Sequence, residues 1–160
     1  MMDWDKQVRG FIRVANKHDV RMIMVGGGAV NWHGYKRHSS DVDFWLDMSD
    51  DNLDNLRTAL KEIRLELEKF PTSVLEGLQN ISLKFSPTDL DVELITRFSV
   101  NKTFQEAYAD SIKVQPGEDT QVYWMVMAFD DLIFSKEKAG RPKDLLDIIE
   151  LKRIRSEGGM

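Results

Sequence analysis

The sequence predicts an α/β fold: a short twisted mixed sheet with flanking helices, closed by a C-terminal helical pair. Three observations carry the prediction. Residues 21–25 form a partly β-branched run, apolar after Arg21, that stops at Gly26-Gly27-Gly28, which reads as a strand and a glycine turn. Asp41-Val42-Asp43-Phe44 and Leu90-Asp91-Val92-Glu93-Leu94 alternate acidic and apolar residues, the period of strands with one buried face. From Asp130 the pattern is helical. It breaks once, at Gly140-Arg141, and resumes with Pro142 at a favoured first helical position.

The remaining elements follow in order. Asp3 or Asp5 caps a first helix reaching about Lys17, with Val8, Phe11, Ile12 and Ala15 at helical spacing. After the glycine turn, residues 29–35 make a short helix. After the second strand, Ser49 or Asp50 caps a helix with the apolar stripe Leu53, Leu56, Leu60, Ile63 and Leu67, ended by Phe70-Pro71. Residues 72–78 add one helical turn. Ile81-Ser82-Leu83-Lys84-Phe85 forms a hairpin with the strand from Leu90, around Ser86-Pro87-Thr88. Thr103 caps a short helix. Ile112-Lys113-Val114 and residues 122–126 are short strands flanking Pro116-Gly117-Glu118-Asp119. The last helix carries Leu145, Leu146, Ile148, Ile149 and Leu151 to about Arg155, and the rest frays.

Length and composition narrow the function. One hundred and sixty residues suit a single domain over 1–160, with its core at about 20–127 and its C-terminal helices at about 130–155. The net charge of −5 argues against a general nucleic-acid binder without excluding a local basic patch. With no cysteine there is no disulfide framework, zinc–thiolate site or thiol nucleophile. His33 and His38 lack the spacing of a helical ligand pair, which speaks against zinc. No apolar run approaches membrane-spanning length and the N-terminal residues are charged, so a cytoplasmic protein is expected.

The chemistry gathers at the glycines and the acids. Gly26 and Gly27 allow backbone angles closed to other residues and leave room for a ligand against the main chain. The free N–H groups of the following helix face that turn, a place for an anion. Strand period puts Asp41 and Asp43 on one side, and two neighbouring carboxylates call for a cation. Mg2+ favours carboxylates together with phosphate oxygens. A phosphate cradle beside a metal-binding pair reads as a nucleoside triphosphate site. Asp89, Asp91 and Glu93 share a face on a later strand and offer the third carboxylate that a two-metal site requires.

Val25-Gly26-Gly27 with Asp41-Val42-Asp43 resembles the signature of the nucleotidyltransferase superfamily. The longer string from Gly26 to Arg37, followed by Ser40-Asp41-Val42-Asp43, is similar to small bacterial nucleotidyltransferase-like proteins of largely unassigned function, some related to toxins of toxin–antitoxin pairs. Leu132-Ile133, Lys136 and Gly140-Arg141-Pro142-Lys143-Asp144 also match those proteins, in pieces from about Ile23 to Leu151. There is no P-loop, and Asn31 stands where a dinucleotide fingerprint needs glycine or alanine.

The resemblance implies a nucleotidyltransferase-like core that moves a nucleoside monophosphate from an NTP to a hydroxyl, with Mg2+ or Mn2+ held by Asp41, Asp43 and a third acid. Val92-Glu93-Leu94-Ile95-Thr96 fits the register of the relatives, with Glu93 where they mostly carry aspartate; Asp91 is the alternative. Gly26, Gly27 and Gly28 would meet the phosphates, with Arg37, Ser39 and Ser40 nearby. Lys136, Arg141 and Lys143 form a basic elbow able to meet a triphosphate or a nucleic-acid phosphate, unless Asp144 holds Arg141 or Lys136 in place. Trp32, Tyr35 and Trp45 are candidate base-stacking rings, although the core is the plainer place for the first two. The acceptor is open: a small molecule, tRNA or protein. Two rival readings stand beside transfer: a nucleotide- or partner-binding module without the chemistry, favoured by Glu93, and the toxin half of a pair with an antitoxin partner. A homodimer would complete a half-open cleft.

Overall fold

The computed structural model describes residues 6–38, 41–85 and 91–158. The expected caps Asp3 and Asp5, the loop serines Ser39 and Ser40, the turn Ser86-Pro87-Thr88, and Asp89 and Leu90 lie outside the described residues. The fold is α/β, with a six-stranded mixed sheet in the order β3-β4-β2-β1-β6-β5.

Helix α1 (Lys6–Lys17) buries Val8, Phe11, Ile12, Val14 and Ala15. It ends where Asp19 takes φ 57, with Val20 N–H bonded to Ala15 O at 2.8 Å. The buried Val20 after the left-handed residue locks that turn. Strand β1 (Met22–Val25) is buried along its whole length. Its neighbours are β2 (Asp41–Leu46), antiparallel, and β6 (Trp124–Val126), parallel. Beyond β2 come β4 (Asp91–Ile95), parallel to it, and β3 (Ile81–Leu83), antiparallel to β4 as the hairpin requires. Strand β5 (Ile112–Val114) pairs antiparallel with β6 at the other edge. Val42, Phe44, Val92 and Leu94 are 0–1% exposed, so the acid–apolar alternation separates core from cleft.

Helix α2 (Gly26–Trp32) departs from the expected boundary. The glycines are its first turn, not a turn before it, and it stops three residues early. Val25 in extended conformation caps it, and Gly26 turns the chain at φ 60. Gly34 at φ 117 ends it, with Tyr35 N–H bonded to Val30 O at 3.2 Å.

Helix α3 (Asp50–Glu62) also ends early. Arg64 takes φ 66 and Leu65 N–H reaches Leu60 O at 2.9 Å. Leu65 thereby folds back onto the core, and Leu67, expected on the stripe, lies beyond the helix and is exposed. Helix α4 (Thr72–Leu75) is the single turn expected. Helix α5 (Phe104–Asp110) starts with a reciprocal capping box between Thr103 and Glu106.

The C-terminal pair is α6 (Phe129–Ala139) and α7 (Pro142–Ser156), joined at Gly140 with φ 64. Helix α7 differs from expectation in what it buries. Ile148 and Leu151 are inside, but so are Asp144 and Asp147, while Leu145, Leu146 and Ile149 are at least 50% exposed. The inward face is given to carboxylates because three cations of the cleft wall, Arg37, Lys136 and Arg141, meet them there.

Candidate active site

The sheet brings the glycine turn and the acids into one row. Val25 on β1 pairs with Asp43 on β2, and Asp43 pairs with Glu93 on β4. Asp41 pairs with Asp91 in the same parallel ladder. Gly26 is fixed by two demands. Its φ of 60 disfavours any side chain, and a Cβ there would stand 2.5 Å from Asp43 Oδ2. The carboxylate of Asp43 thus lies directly against the turn.

Asp43 is held in an unfavourable state. Burial, then the charges of Asp41 and Glu93, push its carboxyl up to about 6, while Lys143 and Lys136 pull the other way. Glu93 is close enough to raise Asp43, yet its Oε1 accepts a hydrogen bond from Ser82 Oγ on β3. Among the described residues no group of three or more histidine, aspartate or glutamate side chains is gathered closely enough to hold a metal ion. Asp41 and Asp43 are carboxylates of the kind a divalent cation takes, but Glu93, bonded to Ser82, is not gathered with them. His33 Nε2 donates to Met127 O at 2.7 Å.

A cleft of ≈ 480 Å³ opens in front of this row, lined by Gly26, Gly27, Asp41 and Asp43 on one side. Arg37, Lys136, Arg141 and Lys143 line the other. Three of these four cations are already engaged. Arg37 forks onto Asp147, Nε to Oδ1 at 2.8 Å and an Nη to Oδ2 at 2.9 Å. Lys136, 6% exposed, bridges Asp147 at 2.9 Å and Asp144 at 3.3 Å. Arg141 Nε meets Asp144 Oδ2 at 2.6 Å. Burial opposes ionisation of Asp144, but Arg141 and Lys136 outweigh it and hold its carboxyl below the usual range. Lys143 makes no ion pair among the described residues.

Several expected site residues sit elsewhere. Gly28 lines a different pocket, with Asn31 and Trp32. Asp91 and Glu93 do not line the cleft. Trp45 is 8% exposed and packs against Phe98 and Phe104, so it is a core ring. Trp32, expected in the core, is 37% exposed. Sequence reasoning passed over Asp147 and Ser82. A signal existed for Asp147: it follows Asp144 by three residues, one helical turn along the same face. Ser82 carried none.

A glycine turn packed on Asp43 thus shares a cleft with Asp41 and a cationic helix junction. The family described as "nucleotidyltransferase of unknown function (DUF6036)" matches residues 2–156. The chain belongs to this family. No curated protein matches it. The family description supports a nucleotidyltransferase and leaves metal, base and acceptor open. No helix among the described residues is long and apolar enough to cross a membrane.

Proposed function

We propose that this family member is a metal-dependent nucleotidyltransferase that moves a nucleoside monophosphate from an NTP to a hydroxyl of an acceptor. The carrying observation is the register of Val25, Asp43 and Glu93 across β1, β2 and β4, which sets Gly26, next after Val25, together with Asp41 and Asp43 in a cleft that Arg37, Lys136, Arg141 and Lys143 also line. Asp41 and Asp43 would hold the cation, Mg2+ or Mn2+, with Glu93 as the third carboxylate. The bound cation supplies charge neutralisation and Lewis-acid activation at the phosphate oxygens. The main chain at Gly26 and Gly27 and the side chain of Lys143 would meet the triphosphate. Arg37, Lys136 and Arg141, held by Asp144 and Asp147, present a fixed positive wall to it. The acceptor oxygen bonds to the α-phosphorus as the bond to the β-phosphate oxygen breaks. Pyrophosphate leaves with that electron pair, and the hydroxyl proton passes to a carboxylate of the acidic wall. Positioning and charge neutralisation do most of the work.

One observation favours a second reading, a nucleotide-binding module without transfer: Glu93 is bonded to Ser82 rather than turned to the aspartate pair. Metal dependence separates the two. Thermal unfolding of the wild type and Asp43→Asn is followed with each of the four NTPs, with and without Mg2+. Ligand at a hundredfold over its Kd adds about 2.7 kcal/mol of stability, a shift of several degrees. The transferase reading expects a Mg2+-dependent shift that Asp43→Asn loses. A shift indifferent to Mg2+ supports the binding module. No shift with any NTP overturns both.

A further inference from the structure

We infer that a second pocket, lined in part by α2 and separate from the cleft, binds the base of a free nucleoside monophosphate. It has a volume of ≈ 250 Å³ and is lined by Trp32, Trp124, Met24, Gly28, Asn31 and Lys36, among others. The cleft takes Gly26 and Gly27 from the same helix, and the two sites share no residue among those described. This inference stands apart from the metal–triphosphate reading.

Each wall has a matching demand on the ligand. The pocket is smaller than the usual drug-sized site, which suits one flat ring system. Trp32, 37% exposed, offers an indole for stacking, with the buried Trp124 in the pocket's lining, and such stacking is indifferent to which base is present. Asn31 donates its Nδ2 to Arg37 O at 3.2 Å, which leaves its amide oxygen to accept an N–H from a ring edge. Lys36 is exposed, with Nζ 3.1 Å from Asn31 O. It is an ammonium beside an aromatic pocket, placed to meet a phosphate. A plain apolar ligand would leave the amide and the ammonium unused. A nucleotide uses all three features.

The test is a titration of AMP, GMP, CMP and UMP in EDTA, read by tryptophan fluorescence and by saturation-transfer NMR on the ligand. Excluding divalent cations silences metal–triphosphate binding, so this result and the one in the cleft are read separately. At least one monophosphate is expected to give a saturable response that persists in Asp43→Asn. Trp32→Ala, a change at a partly exposed ring, weakens it about tenfold or more. Lys36→Ala brings the affinity down to that of the matching nucleoside. Circular dichroism confirms that both variants are folded. No saturable response to any of the four overturns the inference, as does binding that survives Trp32→Ala intact or disappears with Asp43→Asn.

Discussion

The two walls of the cleft carry opposite charge and are built in opposite ways. On the basic wall, Arg37, Lys136 and Arg141 are matched inside the protein by Asp144 and Asp147, each 1% exposed. On the acidic wall, Asp43 has Asp41 and Glu93 for neighbours and its carboxyl is driven up to about 6. Apart from Lys143, the basic wall is matched without a ligand; the acidic wall is improved by one. A site that receives a cation and a polyanion together needs both properties. Its positive side must hold its shape while the cleft is empty, and its negative side must keep its affinity unspent.

The largest effect should come from breaking the matched wall. Asp147→Asn leaves Arg37 without its carboxylate and Lys136 with only the longer contact to Asp144. Removing one partner of a buried ion pair costs about 3–5 kcal/mol, which is roughly 10 °C in Tm for a chain of this length. Lys136→Met should cost much less, since each aspartate keeps an arginine. Equal Tm values for the two variants in a thermal melt would show that the basic wall is not the pre-matched one.

Next comes the acidic wall, where function rather than folding should suffer. Asp43→Asn is expected to reduce transfer of label from an α-labelled NTP by at least about a hundredfold while the circular dichroism spectrum is unchanged. Glu93→Gln should follow it, and Asp91→Asn should have the lesser effect, because Glu93 is the residue in register with Asp43. The reverse order for the last two variants would assign the third carboxylate to Asp91.

A smaller effect of opposite sign belongs to the same side chain. An aspartate whose folded-state pKa is raised from 3.8 to about 6 loses stability as pH rises through that window. Asp43→Asn removes the charge, so without divalent cations it should raise Tm at pH 8. The gain shrinks as pH falls through about 6 and is gone near pH 3.5, where the wild-type carboxyl is protonated in both states. With solvent screening allowed for, the gain is about 1–2 kcal/mol, or a few degrees. A mutant less stable than wild type at pH 8 would mean that Asp43 has a favourable partner.

The difference between the walls also marks what a sequence can disclose. The acidic strands and the glycine turn were legible because strand period and glycine freedom are local rules. Asp41, Asp43 and Glu93 fall on the expected face, and β3 and β4 form the expected hairpin. The matched basic wall was only half visible. That Asp144 holds Arg141 follows from a separation of three residues, but that Asp147 holds Arg37 depends on a contact across 110 positions. The helix ends were misplaced for a related reason. Arg64 adopts a left-handed angle that usually falls to glycine, and the core contact of Leu65 stabilises it there. Leu145, Leu146 and Ile149 looked like core and are exposed, since hydrophobicity says a face exists without saying what covers it.

Lys143 tests whether one cation of the basic wall is kept for a ligand. It lines the cleft and favours the ionised form of Asp43 from across it, yet it makes no ion pair among the described residues. Lys143→Ala breaks no internal pair, so Tm should stay within about 2 °C of wild type. Affinity for NTP in Mg2+ should fall about tenfold by titration calorimetry, the expected loss of one charge-assisted phosphate contact. Raising salt should narrow the gap between variant and wild type, because a solvent-facing ammonium is screened. If Lys143→Ala binds NTP as well as wild type while Arg141→Ala does not, then the ligand displaces a matched cation from its aspartate, and the basic wall opens when the cleft is filled.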